Sequence, residues 1–174
     1  MRDVIEAIEG EYRRYRSLGE RTMEQLNGGE LCTRPSAESL SIATIVWHVA
    51  GNLESRFTDF LTEDGEKEWR RRDDEFAVRT VPKEALLERW AAGWSVLEAA
   101  LAELDDDALS RTITIRGVEL TVVEALQRSL AHTAYHVGQI TFLGKMLAGD
   151  GWTYLSIAPG GTAAYNQNPT HEKA

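Results

Sequence analysis

Two histidines stand four residues apart, at His132 and His136. On a helix this spacing stacks both imidazoles on one face, one turn apart, with their ring nitrogens close enough to share an ion. Neutral imidazole is a good ligand for zinc, nickel, copper or iron. A third ligand must come from another helix, and His48 is the candidate donor. Three protein ligands leave a coordination position for water or substrate, as in catalytic rather than closed structural zinc sites. The bland alternative is a hydrogen-bonded pair beside the core, since this spacing also arises by chance. The third helical histidine favours the metal reading. The fourth histidine, His171, reads as a solvated terminal residue.

The same segments exclude other chemistries. His132-Thr133-Ala134-Tyr135-His136 lacks the Glu that follows the first His of the metalloprotease helix. No Glu-x-x-His pair supports a ferritin-like di-iron centre. There is neither a Gly-x-Ser-x-Gly elbow nor a P-loop, and Gly160-Gly161 is only a turn signal.

Helices must position these side chains, and hydrophobic periodicity supplies them. A first amphipathic helix spans about residues 2–26 through Ile5, Ile8, Tyr12, Tyr15 and Leu18, and Asn27-Gly28-Gly29 stops it. A second spans about residues 41–61, with Ser41 as N-cap. Ile42, Ile45, Val46, Val49, Leu53, Phe57 and Phe60 form its stripe; His48 and Asn52 flank the stripe, and Arg56 falls inside it. Residues 62–80 are a long charged connection, with room for one short helical turn. A third helix spans about residues 82–104, with Pro82 at its first position and Trp90 and Trp94 facing the core. Thr112–Ile115 and Val118–Leu120, joined by Arg116-Gly117, read as a small β-hairpin. Thr121 and Glu124 form a capping box that opens the fourth helix, which runs to about residue 148 and stops at Gly149. Trp152, Tyr154, Leu155, Ile157 and Tyr165 pack the start of the tail back onto the helices. The expected fold is all-α: one four-helix bundle domain over residues 1–174, with a hairpin between helices three and four and a packed C-terminal tail.

The chain has 174 residues, enough for a full core, and 43% of them are hydrophobic. Lys and Arg number 19 against 28 Asp and Glu, a formal charge of −9. That balance repels phosphate backbones, and no basic stripe with interleaved aromatics is present, so nucleic-acid binding is not expected. One cysteine, Cys32, cannot form an internal disulfide, and it reads as a bystander. Arg2, Asp3, Glu6 and Glu9 interrupt any leader-like apolar run, and no stretch suits a membrane span. A reduced cytoplasmic location is expected.

Two segments carry a family resemblance: Ser41-Ile42-Ala43 leading to Trp47-His48-Val49-Ala50-Gly51-Asn52, and Ala131-His132-Thr133-Ala134-Tyr135-His136-Val137-Gly138-Gln139-Ile140. They resemble the DinB superfamily, the DinB/YfiT-like metalloenzymes. Asn52-Leu53-Glu54-Ser55-Arg56-Phe57, Asp64-Gly65-Glu66-Lys67, Trp69 to Phe76 and Leu155 to Gly161 are similar to a branch of it whose function is uncharacterised. The resemblance implies an up-down-down-up bundle, usually a homodimer, with a three-histidine metal site at one end. It also implies metal-dependent S-transfer, in which a small thiol of the bacillithiol or mycothiol type attacks an electrophilic substrate. The ion is expected to be one divalent metal, with Zn2+ and Ni2+ the leading choices.

A metal with three neutral ligands lowers the pKa of coordinated water strongly, to about 7 on zinc, and converts a coordinated thiol to thiolate, the active nucleophile. Asn52, one turn after His48, is within reach of the site, and Tyr135 and Gln139 flank His136. Arg56 could bind an acidic substrate group or form a buried ion pair to a carboxylate such as Glu75 or Asp73. Trp69 and the charged run after it could cover the metal end, or merely pin a solvated connection. Trp47 and Phe142 point off the core stripes and suit a dimer interface. A thiol transferase, a hydrolase of a small substrate and a non-catalytic metal-binding dimer remain the three readings.

Overall fold

The computed structural model describes residues 1–170; the expectation for His171 lies outside the described residues. The elements run α1 (Asp3–Glu24), α2 (Gly28–Cys32), α3 (Ile42–Phe57), α4 (Arg72–Glu75), α5 (Lys83–Ala102), β1 (Thr112–Ile115), β2 (Val118–Thr121), α6 (Val122–Ala148) and α7 (Thr162–Tyr165). The chain is mostly helical, with one antiparallel two-stranded sheet in which Thr112 pairs with Thr121 and Ile115 with Val118.

Local chemistry sets the ends of the helices that matter. The Ser41 hydroxyl accepts from the Thr44 amide at 3.1 Å and opens α3. Thr121 and Glu124 form the expected capping box at α6, with the Thr121 amide donating to Glu124 at 2.7 Å. Gly149, at φ 54°, ends that helix in a conformation L side chains avoid.

Three boundaries differ from the sequence reading. Helix α1 ends at Glu24 with Gln25 as its C-cap, and the Asn27-Gly28-Gly29 stop signal instead starts α2, because Asn27 and Glu30 form a second capping box. Helix α3 ends at Phe57 rather than near Leu61, because Thr58 turns extended and Asp59 takes φ 49°. Pro82 caps α5 from outside, with ψ 149°, instead of taking its first helical position.

Helix α3 packs on α5 and α6, and α1 packs on α6 and α5, and all of these helices contribute side chains to one buried cluster. Trp90, Trp94 and Leu97 of α5 meet Tyr12 of α1, Leu53 of α3 and Leu126 of α6 in a single buried cluster. Each large aliphatic side chain removed from water there contributes about 1.5–3 kcal/mol before entropy is subtracted. Gly93 lets α3 and α5 approach: a Cβ there would lie 2.6 Å from the Ala50 Cα.

The long connection is anchored rather than loose. The Ser55 hydroxyl donates to the Gly65 carbonyl at 2.8 Å and accepts from the Lys67 amide. Asp64 accepts from the amides of Arg116 and Gly117 at 2.8 Å each, and the Gly65 amide donates to Thr114. Arg116 and Gly117 both have positive φ, 56° and 71°, the turn that suits a two-residue hairpin. The hairpin is thereby fastened onto the connection beside the end of α3.

The tail packs on α1, where Gln25 and Thr153 exchange hydrogen bonds and Leu155 is buried. Trp47 is half-buried against the core with the Arg79 guanidinium 4.8 Å above its ring, and Phe142 is 71% exposed. Among the described residues no helix is long and apolar enough to cross a membrane.

Candidate metal centre

Helix α3 carries His48, and α6, packed against it, carries His132 and His136. One ligand nitrogen from each lies within 4.8 Å of the others. The Nε2 atoms of His48 and His132 face each other at 3.1 Å. Nitrogens bound tetrahedrally to one zinc at about 2.0–2.1 Å would lie about 3.3–3.5 Å apart, close to the His48–His132 separation. His48 and His136 are buried and His132 is half-buried. These three histidines could hold a metal ion, and they form the one such group of three among the described residues.

The outer sides of the rings decide which nitrogens face inward. Glu75, at the end of α4, lies 2.8 Å from the His48 Nδ1. Arg70 donates to both oxygens of Glu75, at 2.8 and 3.0 Å. Burial alone would raise the Glu75 carboxyl, but hydrogen bonds from His48 and Arg70 and the Arg70 charge hold it below the usual carboxylate value. An ionised Glu75 accepts a hydrogen bond from the Nδ1–H of His48, so the proton stays on Nδ1 and Nε2 keeps its lone pair for an ion. Gln139 does the same for His136, its Oε1 lying 2.8 Å from Nδ1. The buried Nδ1 of His132 has no protein partner among the described residues.

Burial, aided by the nearby charges of His136, His48, Arg70 and Arg56, pushes the His132 pKa down to about 3. Burial also lowers His136, although its bond to Gln139 works the other way. Both rings are neutral at pH 7, the form that binds metal.

The other sequence candidates fall in different places. Asn52 lines a cavity together with His48. Arg56 pairs with Glu66 at 2.9 Å and donates to the Gly65 carbonyl, so its partner is neither Glu75 nor Asp73. Gln139 touches His136 directly. Tyr135 is 64% exposed and meets His136 in a T-shaped ring contact, at 5.0 Å between centroids. Trp69 is 55% exposed; Phe76, stacked 4.6 Å from the His48 ring, covers that histidine instead. Cys32 lies outside the cluster, its thiol 3.6 Å from the Val81 carbonyl.

Glu75 and Arg70 are the residues that sequence reasoning did not assign to the histidines. One signal was present. Gly51 sits three residues after His48, and a Cβ there would come 2.9 Å from the Glu75 Cδ and closer still to its Oε1. The bare helix backbone at Gly51 is what admits the carboxylate.

A cavity of about 350 Å³ opens beside His48 and His132, bounded by Asn52, Arg56 and Ser129, with Phe57 and Phe60 among its apolar wall. That volume suits a small organic molecule.

A family model described as "Protein of unknown function (DUF1572)" matches residues 1–161. The chain belongs to this family. No curated protein matches it. Among solved structures, the conserved protein of locus from Enterococcus faecalis is similar, with a TM-score of 0.65 and 20% identity over 86% of this chain and 99% of that one. At that identity the likeness speaks for the fold alone.

Proposed function

We propose that this DUF1572 chain is a metal-dependent enzyme of the DinB superfamily, a single-domain up-down-down-up four-helix bundle that transfers a small thiol to an electrophile. The supporting observation is the pairing of His48 with Glu75 on one side and His132 on the other, next to an open cavity. A carboxylate–histidine–metal arrangement has this form, with the carboxylate fixing the tautomer of the ligand. The donor set fits the group: three neutral imidazoles suit one divalent ion, with Zn2+ or Ni2+ favoured. Glu75 serves as a partner to His48 and Arg70 and does not close the coordination shell.

When bound, the ion supplies Lewis acidity that makes a coordinated thiol a thiolate at neutral pH. The chain does the rest. His48, His132 and His136 hold the ion. Glu75 and Gln139 keep two of the rings in the ligating tautomer, and Arg70 keeps Glu75 ionised and in place. Phe76 shields the His48 ring, while Asn52 on the cavity wall is placed to orient substrate. Hydrolysis, with water in the position of the thiol, is the second reading, since the cavity reaches the same histidines. The alternative in which the ion only stabilises the fold gives that cavity no role.

The expected assembly is a cytoplasmic homodimer. Tyr135, Phe142 and Met146, exposed at 64%, 71% and 49% on α6, are the face proposed for it. The test of activity is metal-loaded protein with a panel of thiols plus an electrophile, run beside ester and amide substrates. Thiol conjugation is expected; turnover of the esters or amides alone would replace the transferase by the hydrolase.

A further inference from the structure

The cavity beside the histidines is cationic although the chain is acidic overall. Arg56, Arg70, Arg72, Arg116 and Arg128 line it, and no carboxylate does. They come from α3, the connection with α4, the hairpin turn and α6, so four separate parts of the fold converge on this charge.

The carboxylates behind the wall do not balance it. Glu66 is shared among Arg56 at 2.9 Å, Arg116 at 3.3 Å and Arg70 at 3.4 Å. Glu75 is shared between Arg70 and His48. Asp64 spends its oxygens on backbone amides of the hairpin turn and of Glu66. Arg72 has one distant ion-pair partner, the fully exposed Asp73 at 3.9 Å, and its guanidinium lies 4.9 Å over the Phe76 ring. Arg128 makes no ion pair or hydrogen bond to any described residue. Holding like charges together at one cavity is unfavourable unless something anionic enters it.

We infer that this cavity takes a small substrate bearing a carboxylate or phosphate group, gripped by Arg128, Arg116 and Arg72 while its reacting end faces His48 and His132. This rests on the proposed function for the reaction but not for the binding. Guanidinium pairs with either oxyanion in a two-point fork, which fixes direction as well as affinity. Phe57, Phe60 and Ile115 supply apolar wall for the carbon body between the two ends. Arg56 and Arg70, whose side chains are 15% and 2% exposed, are committed to Glu66 and Glu75 and hold the wall in shape.

The test titrates succinate and inorganic phosphate into the protein by calorimetry at low salt. It uses metal-loaded wild type, chelator-treated wild type, and the R128Q and R116Q/R128Q variants, with metal content measured on each. Saturable binding is expected in both wild-type forms. Each lost guanidinium should weaken it about tenfold, with metal content unchanged. Stronger succinate binding assigns a carboxylate substrate and stronger phosphate binding a phosphorylated one; either supports the inference. Absence of saturable binding to wild type, or equal affinity in R116Q/R128Q, overturns it. Binding that vanishes on chelation alone also overturns it, because the anion was then bound to the ion and not to the arginines. Wild type that takes up no metal when loading is attempted, with anion binding intact, would sink the proposed function and leave this inference standing. Circular dichroism confirms that the variants fold, which their exposed positions favour.

Discussion

The Oε2 of Glu75 lies 2.8 Å from the Nδ1 of His48, and Arg70 grips both oxygens of the same carboxylate from the far side. An ionised, doubly held carboxylate can only accept at that contact, which leaves the opposite nitrogen of His48 facing His132 with its lone pair free. The tautomer of His48 is thus set by a residue 27 positions along the chain.

Replacing Glu75 by Gln keeps the shape and removes the charge. Metal affinity of E75Q should fall about 10–100-fold, read by competition with a coloured chelator. An affinity equal to wild type would mean that Glu75 merely fills space. Arg70→Met should act in the same direction, because it releases Glu75 without touching a histidine.

Gly51→Ala places a methyl group against a carboxylate that Arg70 and His48 pin in position. Overpacking of this kind costs about 1–3 kcal/mol. Chemical denaturation of G51A should show a loss of that size, together with weakened metal binding, since Glu75 must move away from His48. A stable G51A with unchanged metal affinity would show that Glu75 has more room than the packing implies.

Asp64 ties the hairpin turn to the connection and so holds Arg116 at the cavity. Slight burial would raise its carboxyl, but backbone amides of Gly117, Glu66 and Arg116 outweigh this and hold it at about 2, against an ordinary value of 3.8. A carboxyl lowered by folding contributes stability that is complete above the ordinary value and disappears as pH falls through the folded one. The amide resonances of Arg116 and Gly117 should therefore titrate near pH 2, and D64N should abolish that step. A midpoint near 3.8 would mean that the tie is not formed.

Leu97 is fully buried in the core. L97A should cost about 2–5 kcal/mol in a denaturant titration while leaving the arginine-lined cavity and the histidines in place. Phe142→Glu, at an exposed position, should barely alter the stability of the fold but should shift sedimentation from dimer to monomer. Unchanged sedimentation would remove α6 as the proposed dimer face.

Much of this was legible from local signals. Apolar spacing located the long helices, Ser41 and the Thr121–Glu124 pair marked two of their starts, and Arg116-Gly117 marked the hairpin turn. The i, i+4 spacing of His132 and His136 follows from helix geometry, so it is readable wherever the helix is. Long-range pairing was not readable. Nothing near Glu75 says that its charge is spent on His48 rather than on Arg56, because that choice depends on where the connection folds. The arginine wall was equally hidden: its five members come from sequence-distant segments, and Arg70-Arg71-Arg72 next to Asp73-Asp74-Glu75 looks neutral along the chain. The small helix after Asn27 escaped because Asn27-Gly28-Gly29 looks like a stop, whereas the asparagine caps a helix that the glycines begin.

The central claim is that three imidazoles share one ion, and elemental analysis of purified wild type beside the His132→Ala variant tests it most directly. One equivalent of zinc or nickel per chain in wild type and a small fraction of that in H132A is the predicted result. Equal metal content in the two proteins, or none in wild type purified without chelator from metal-replete cells, would contradict it.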